Sequence, residues 1–146
     1  MGATGDRPPP TTPGEAEEAF YDAFERADFA AMRRLWADGD DVVCVHPLGP
    51  TLRGARAVMD SWRTMFRGGA SMRFTRMIQQ QFLQDEVAIN VVHEFIQVTG
   101  ERGTRPPMIA TNAYRRQGGT WHMILHHASP SPEHFEAAVA PAAAIH

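Results

Sequence analysis

The stretch Ala110-Thr-Asn-Ala-Tyr-Arg-Arg-Gln-Gly-Gly-Thr-Trp-His-Met-Ile-Leu-His-His-Ala-Ser-Pro130 decides how this chain folds. Two runs rich in aromatic and branched residues flank Gly118-Gly119, and a type I′ hairpin turn needs positive φ at both of its central positions. With that turn, Gln117 faces Thr120. The pairing continues as Arg116 with Trp121, Tyr114 with Met123, Asn112 with Leu125 and Ala110 with His127. The strand period of two then sends Met108, Ala110, Asn112, Tyr114, Trp121, Met123, Leu125 and His127 to one face. Thr111, Arg115, His122 and His126 fall on the other, so the first face is expected inside. An unpartnered Asn112 or His127 there would cost roughly 1–3 kcal/mol, so each needs hydrogen bonds or a wet or ligand-filled cavity.

Upstream of the hairpin, residues 72–83 and 87–98 read as two more long strands, separated by turn chemistry at Gln84-Asp85. Before them the period changes to that of helices. Ala16, Ala19, Phe20, Ala23, Phe24 and Ala27 form one stripe, entered through Thr12-Pro-Gly-Glu15 with Thr12 as the expected N-cap. Phe29, Met32, Leu35 and Trp36 form a second stripe behind Asp28. Val58, Met59, Trp62, Met65 and Phe66 form a third, closed by Gly68-Gly69. Between the second and third helices, residues 42–46 are a short β-branched strand that Pro47 stops, leaving His46 at a sheet end. Helices followed by long antiparallel strands make an α+β domain with helices on one face of a curved sheet.

At 146 residues, with 43% hydrophobic and 21% charged residues, the chain suits one globular domain. Residues 1–13, with Pro8-Pro-Pro10 and Pro13, are expected to be a disordered arm, 14–130 the domain, and 131–146 a loose tail with a short helical pattern at 133–139. A net charge of -3 argues against a nucleic-acid surface. A single cysteine, Cys44, excludes an internal disulfide and points to a reducing, cytoplasmic setting; between valines it reads as a buried thiol. No apolar run approaches the roughly 20 residues of a membrane span.

Residues 15–66 and 110–130 resemble the SnoaL-like branch of the NTF2-like superfamily, which includes the ketosteroid isomerases, most strongly in Ala110-Thr-Asn-Ala-Tyr-Arg-Arg and Trp121-His-Met-Ile-Leu-His-His-Ala-Ser-Pro130. The resemblance implies a cone-shaped domain with an apolar pocket between the helices and the concave sheet face. It also implies site residues. Tyr21 takes the place of the isomerase's oxyanion-binding tyrosine, and His46-Pro-Leu-Gly49 resembles the segment that carries its aspartate base. The isomerase's protonated aspartate has no counterpart: Ala110 stands there, with Asn112 one pair further along. That departure argues against steroid isomerisation.

What remains is a proton-transfer site with His46 as base, Tyr21 and Asn112 as oxyanion donors and His127 as a second acid/base group. Trp36, Trp62, Tyr114, Trp121, Met123, Leu125 and Glu94 are the expected pocket lining, Glu94 or its neighbour His93 facing in, since adjacent strand residues point to opposite faces. The same period splits His126 from His127, and no metal-ligand spacing is present, so neither metal nor cofactor is expected. Two readings follow: an isomerase- or cyclase-like enzyme acting on a small hydrophobic carbonyl compound, or a non-catalytic module that binds a hydrophobic ligand or serves association. Members of the resembled family commonly dimerise through the outer sheet face. A homodimer is therefore expected, with Ile109, Ala113, Ile124, His122 and His126 as contacts.

Overall fold

A computed structural model describes residues 7–69, 71–103 and 105–132. The helical pattern expected at 133–139 lies outside them. Three helices, α1 (Pro13–Arg26), α2 (Phe29–Leu35) and α3 (Ala55–Arg67), cover one face of a six-stranded sheet. Its strands are β1 (Val43–Val45), β2 (Leu52–Arg53), β3 (Met72–Gln84), β4 (Val87–Val98), β5 (Met108–Gln117) and β6 (Thr120–Pro130), in the order β2-β1-β6-β5-β4-β3. The four long strands form an antiparallel meander. The short β1 lies parallel to β6, which only a long crossover connection allows.

The helix ends follow their capping chemistry. Thr12 Oγ1 accepts from the Glu15 N–H at 3.1 Å, and Asp28 Oδ1 accepts from the Ala31 N–H at 3.0 Å. The last part of the expected arm is tied down: the Pro10 carbonyl accepts from the Trp121 N–H at 3.0 Å, and Arg7 pairs with Asp22 at 3.4 Å. The first strand ends at Val45, one residue short of His46.

The hairpin departs from the expected register at one point. Gln117 faces Thr120 and Tyr114 faces Met123, but Ala113 then pairs with Leu125, so Ile124 is an extra residue on β6. A bulge of this kind shifts the strand by one, and every later side chain changes face. His126 is consequently buried opposite Asn112, and His127 is exposed opposite Thr111. Leu125 moves to the outer face beside Ala113 and Val43. Three assignments are thereby corrected: His127 and Leu125 do not line the interior, and His126 is not an outer contact. Ile124 packs against the core as well. His122 sits in a concavity beside Arg33 and Arg34 of α2, leaving Ile109 and Ala113 on the open face.

The space between helices and sheet is filled by rings. Trp62, unexposed, stands 5.7 Å from Phe20, 4.8 Å from Phe24 and 4.8 Å from His46 between ring centroids. Phe20 in turn lies 4.8 Å from the His126 ring. Among the described residues the outer face carries no helix. Its most continuous row runs across five strands as Phe82, Ile89, Ala113, Leu125 and Val43, each paired with the next.

Candidate functional site

α1 and the middle of the sheet converge on a buried polar network. Glu17 and Tyr21, one helical turn apart, face β4 and β5, where Asn90 and Glu94 share a face and Asn90 pairs with Asn112. Tyr21 Oη donates to Glu94 Oε2 at 2.5 Å. Asn112 Nδ2 donates to Tyr21 Oη at 3.0 Å and to Glu17 Oε2 at 2.9 Å, and Asn90 Nδ2 donates to the other Glu17 oxygen. Because both Asn112 N–H groups are used, its Oδ1 is the acceptor for His126 Nδ1 at 2.7 Å. His126 is therefore held as the Nδ1–H tautomer.

Burial sets the protonation states. It pushes the Tyr21 hydroxyl well above its ordinary pKa, with the Glu94 charge and hydrogen bond adding to the effect. Burial also raises the Glu94 carboxyl to about 7, against the hydrogen bond from Tyr21 and the nearby Arg76 guanidinium, which lower it. His126 drops to about 3, first by burial and then by its histidine neighbours, so it is neutral. Glu94 is thus the group in this network that titrates near neutrality.

His46 sits at the margin of this arrangement. Its Nε2 lies 3.0 Å from Ser61 Oγ, whose own proton goes to the Val58 carbonyl at 2.7 Å, so Nε2 is the donor and Nδ1 the lone-pair nitrogen. Its ring centroid is 6.5 Å from that of His126. Burial lowers its pKa. Cys44 Sγ is 3.7 Å from His46 Nε2, but burial pushes the thiol up to about 12, so it is no nucleophile at neutral pH.

The expected grouping is thus partly assembled. Tyr21 joins Asn112 and Glu94, and His46 lies close by through His126. His127 is absent from the group. Glu17, Asn90 and His126 were not anticipated, although Glu17 lies four residues before Tyr21 and Asn90 shares strand parity with Glu94. The apolar pocket does not appear in its expected place: none of the five main concavities among the described residues is lined by His46, Asn112 or His126. Trp62, Tyr114, Trp121 and Met123 are buried packing instead. Trp36 walls a cleft between α2 and α3. Tyr21 does reach a surface concavity of about 360 Å³ between α1 and β3, beside Arg76, whose guanidinium carbon lies 4.6 Å from its ring centroid. Among the described residues no cluster of three or more His, Cys, Asp or Glu side chains is placed to hold a metal ion, and no helix is long and apolar enough to cross a membrane.

Helices on the concave side of a curved sheet, with polar residues drawn inward from α1, β4, β5 and β6, define an NTF2-like α+β cone. The chain belongs to the SnoaL-like domain family, which matches residues 15–132. A structure from Thiobacillus denitrificans, provisionally assigned as a calcium/calmodulin-dependent protein kinase type II association domain, is 41% identical with a TM-score of 0.81, covering 86% of this chain and 99% of that one. A provisionally assigned dehydratase of the NTF2-like family from Streptomyces avermitilis is 31% identical with a TM-score of 0.74, covering 82% and 94%. The F-box protein SKIP8 of Arabidopsis thaliana is 27% identical over 110 residues, which are 75% of this chain and 46% of that protein. The chain thus spans about half the length of that curated relative.

Proposed function

We propose that this SnoaL-like domain is an association module that forms a homodimer through the open face of its sheet. The observation that carries this reading is the apolar row Phe82, Ile89, Ala113, Leu125 and Val43, which no described element covers. The side opposite is filled by Trp62, Phe20 and His126 rings, which leave little room for a substrate beside His46. Phe82 is 53% exposed, a cost that burial against a second copy removes. The 41% identical Thiobacillus protein, assigned as an association domain, supports the same reading. Sedimentation equilibrium tests it. The full chain is expected to be a dimer and Ile89→Lys, with a charge within the row, a folded monomer. A wild-type monomer across the micromolar range would overturn the proposal.

A second reading rests on Glu94. A carboxyl that titrates near 7, hydrogen-bonded to a tyrosine that borders a surface concavity, is suited to moving a proton on a small hydrophobic carbonyl compound. In this form Glu94 is the base; once it has taken the proton, the Tyr21 hydroxyl is released from the carboxylate and turns its one O–H to the oxyanion, while His46 stands outside the reacting group. The provisional dehydratase assignment of the Streptomyces relative is in keeping with it. Solvent deuterium should then enter added enones with wild-type protein and not with Glu94→Gln; the absence of exchange in both would remove the catalytic reading.

A further inference from the structure

The cleft between α2 and α3 lies on the helical side, away from the sheet face proposed to associate, and belongs neither to that face nor to the buried network. Its volume is about 420 Å³, at the lower end of the range for small-molecule sites. Arg33 from α2 and Arg56 and Arg63 from α3 stand around it, against the carboxylates of Asp38 and Asp60. The three guanidinium groups differ in occupation. Arg63 is engaged, with Nη1 3.3 Å from Asp60 Oδ1 and its guanidinium carbon 4.4 Å from the centre of the Phe29 ring. The guanidinium groups of Arg33 and Arg56 make no ion pair or hydrogen bond among the described residues. Two unpaired cations thus face a concavity in a protein whose net charge is -3.

Two further observations point the same way. The N-terminus of α3 opens on this cleft, since Ala55 and Arg56 are among its walls. That end has no side-chain cap and no acidic residue in its first turn; the Ala55 N–H is bonded to the Gly39 carbonyl at 2.9 Å, which leaves the Arg56 and Ala57 amides as the open donors of the turn. Independently, Trp36 forms part of the wall at 3% exposure, and its buried indole N–H finds no acceptor among the described residues. A buried indole donor without an acceptor is a cost of roughly 1–3 kcal/mol that native proteins generally avoid or use. The remaining surface is apolar, from Phe29 and Met59.

We infer that this cleft binds a small organic oxyanion, a flat apolar body carrying one phosphate or carboxylate group. Arg33, Arg56 and the first turn of α3 meet the anionic end, and Phe29, Met59 and the Trp36 ring meet the body. Guanidinium groups suit this task because they offer paired donors to planar or tetrahedral oxyanions.

Phenyl phosphate titrated into the isotopically labelled full chain, followed by amide and indole NMR, tests the inference, with benzyl alcohol as the uncharged control. The expected result is a saturable shift of the Trp36 indole N–H and of the Arg56 and Ala57 amides. Trp36→Phe identifies the indole signal. Arg33→Ser/Arg56→Ser, both at exposed positions, should weaken binding by roughly tenfold or more, the loss expected for two charge-assisted contacts. Arg53→Ser on β2 should leave it unchanged. Should the double variant lose its native spectrum, the salt dependence of wild-type binding reports the same charges. Absence of a saturable shift overturns the inference, as does equal perturbation by benzyl alcohol, or salt-independent binding that the double variant retains.

Discussion

Glu94→Gln isolates a carboxyl that the fold holds near neutrality. In the unfolded chain a glutamate titrates near 4.3, whereas burial holds Glu94 at about 7 in the native state. The native protein therefore binds the proton more tightly than the unfolded chain between those values, and stability must fall as pH rises through that window. The contribution is fully present below the unfolded pKa and is lost once pH passes about 7. At about 1.4 kcal/mol per unit, the loss amounts to roughly 3–4 kcal/mol. His126 opposes it: with its folded pKa lowered to about 3, the unfolded chain binds the extra proton from there up to about 6.5, and stability rises with pH over that range. The wild-type profile is the sum of the two, so the informative quantity is its difference from the variant. The amide introduced by the substitution keeps an acceptor for Tyr21 but carries no charge. Thermal unfolding at a series of pH values should show the variant gaining on wild type from pH 5 to pH 8. Over that range the gain is about 2.5 kcal/mol, which for a chain of this length corresponds to roughly 5–10 °C in Tm. A constant offset between the two curves across that range would refute the assignment of Glu94 as a proton-holding buried carboxyl.

Other expectations follow from the same contacts. Asn112→Ala removes the partner of Glu17, Tyr21 and His126 together, and leaving these buried groups short of bonds should cost about 3 kcal/mol or more in denaturant unfolding. Cys44, buried and with its thiol pKa raised, should resist a thiol-disulfide reagent at neutral pH in the folded protein and react promptly once denatured.

Much of the fold was legible because period and turn chemistry agree at every level. Gly118-Gly119 set the hairpin, Thr12 and Asp28 marked the helix starts, and the switch from helical to strand period after Gly69 located the sheet. The site was legible as far as parity could be counted from the turn. Asn112, Tyr114, Trp121 and Met123 lie within that reach and face inward. The count fails beyond Ile124, because nothing in a run of Trp-His-Met-Ile-Leu announces a bulge, and it assigns the wrong histidine to the interior. Glu17 was invisible for a different reason. A glutamate on a helix stripe reads as solvated unless its partners, here Asn90 and Asn112 from sequence-distant strands, are already known.

The supernumerary residue in β6 also governs how this chain must be compared with its relatives. Within the last hairpin, a protein with the same letters but no bulge would turn its second histidine to the interior and its first to solvent. Matching letters column by column would then equate a solvent-washed imidazole with a hydrogen-bonded interior one. Comparison of strand halves on either side of Ile124, each in its own phase, is what keeps like positions together.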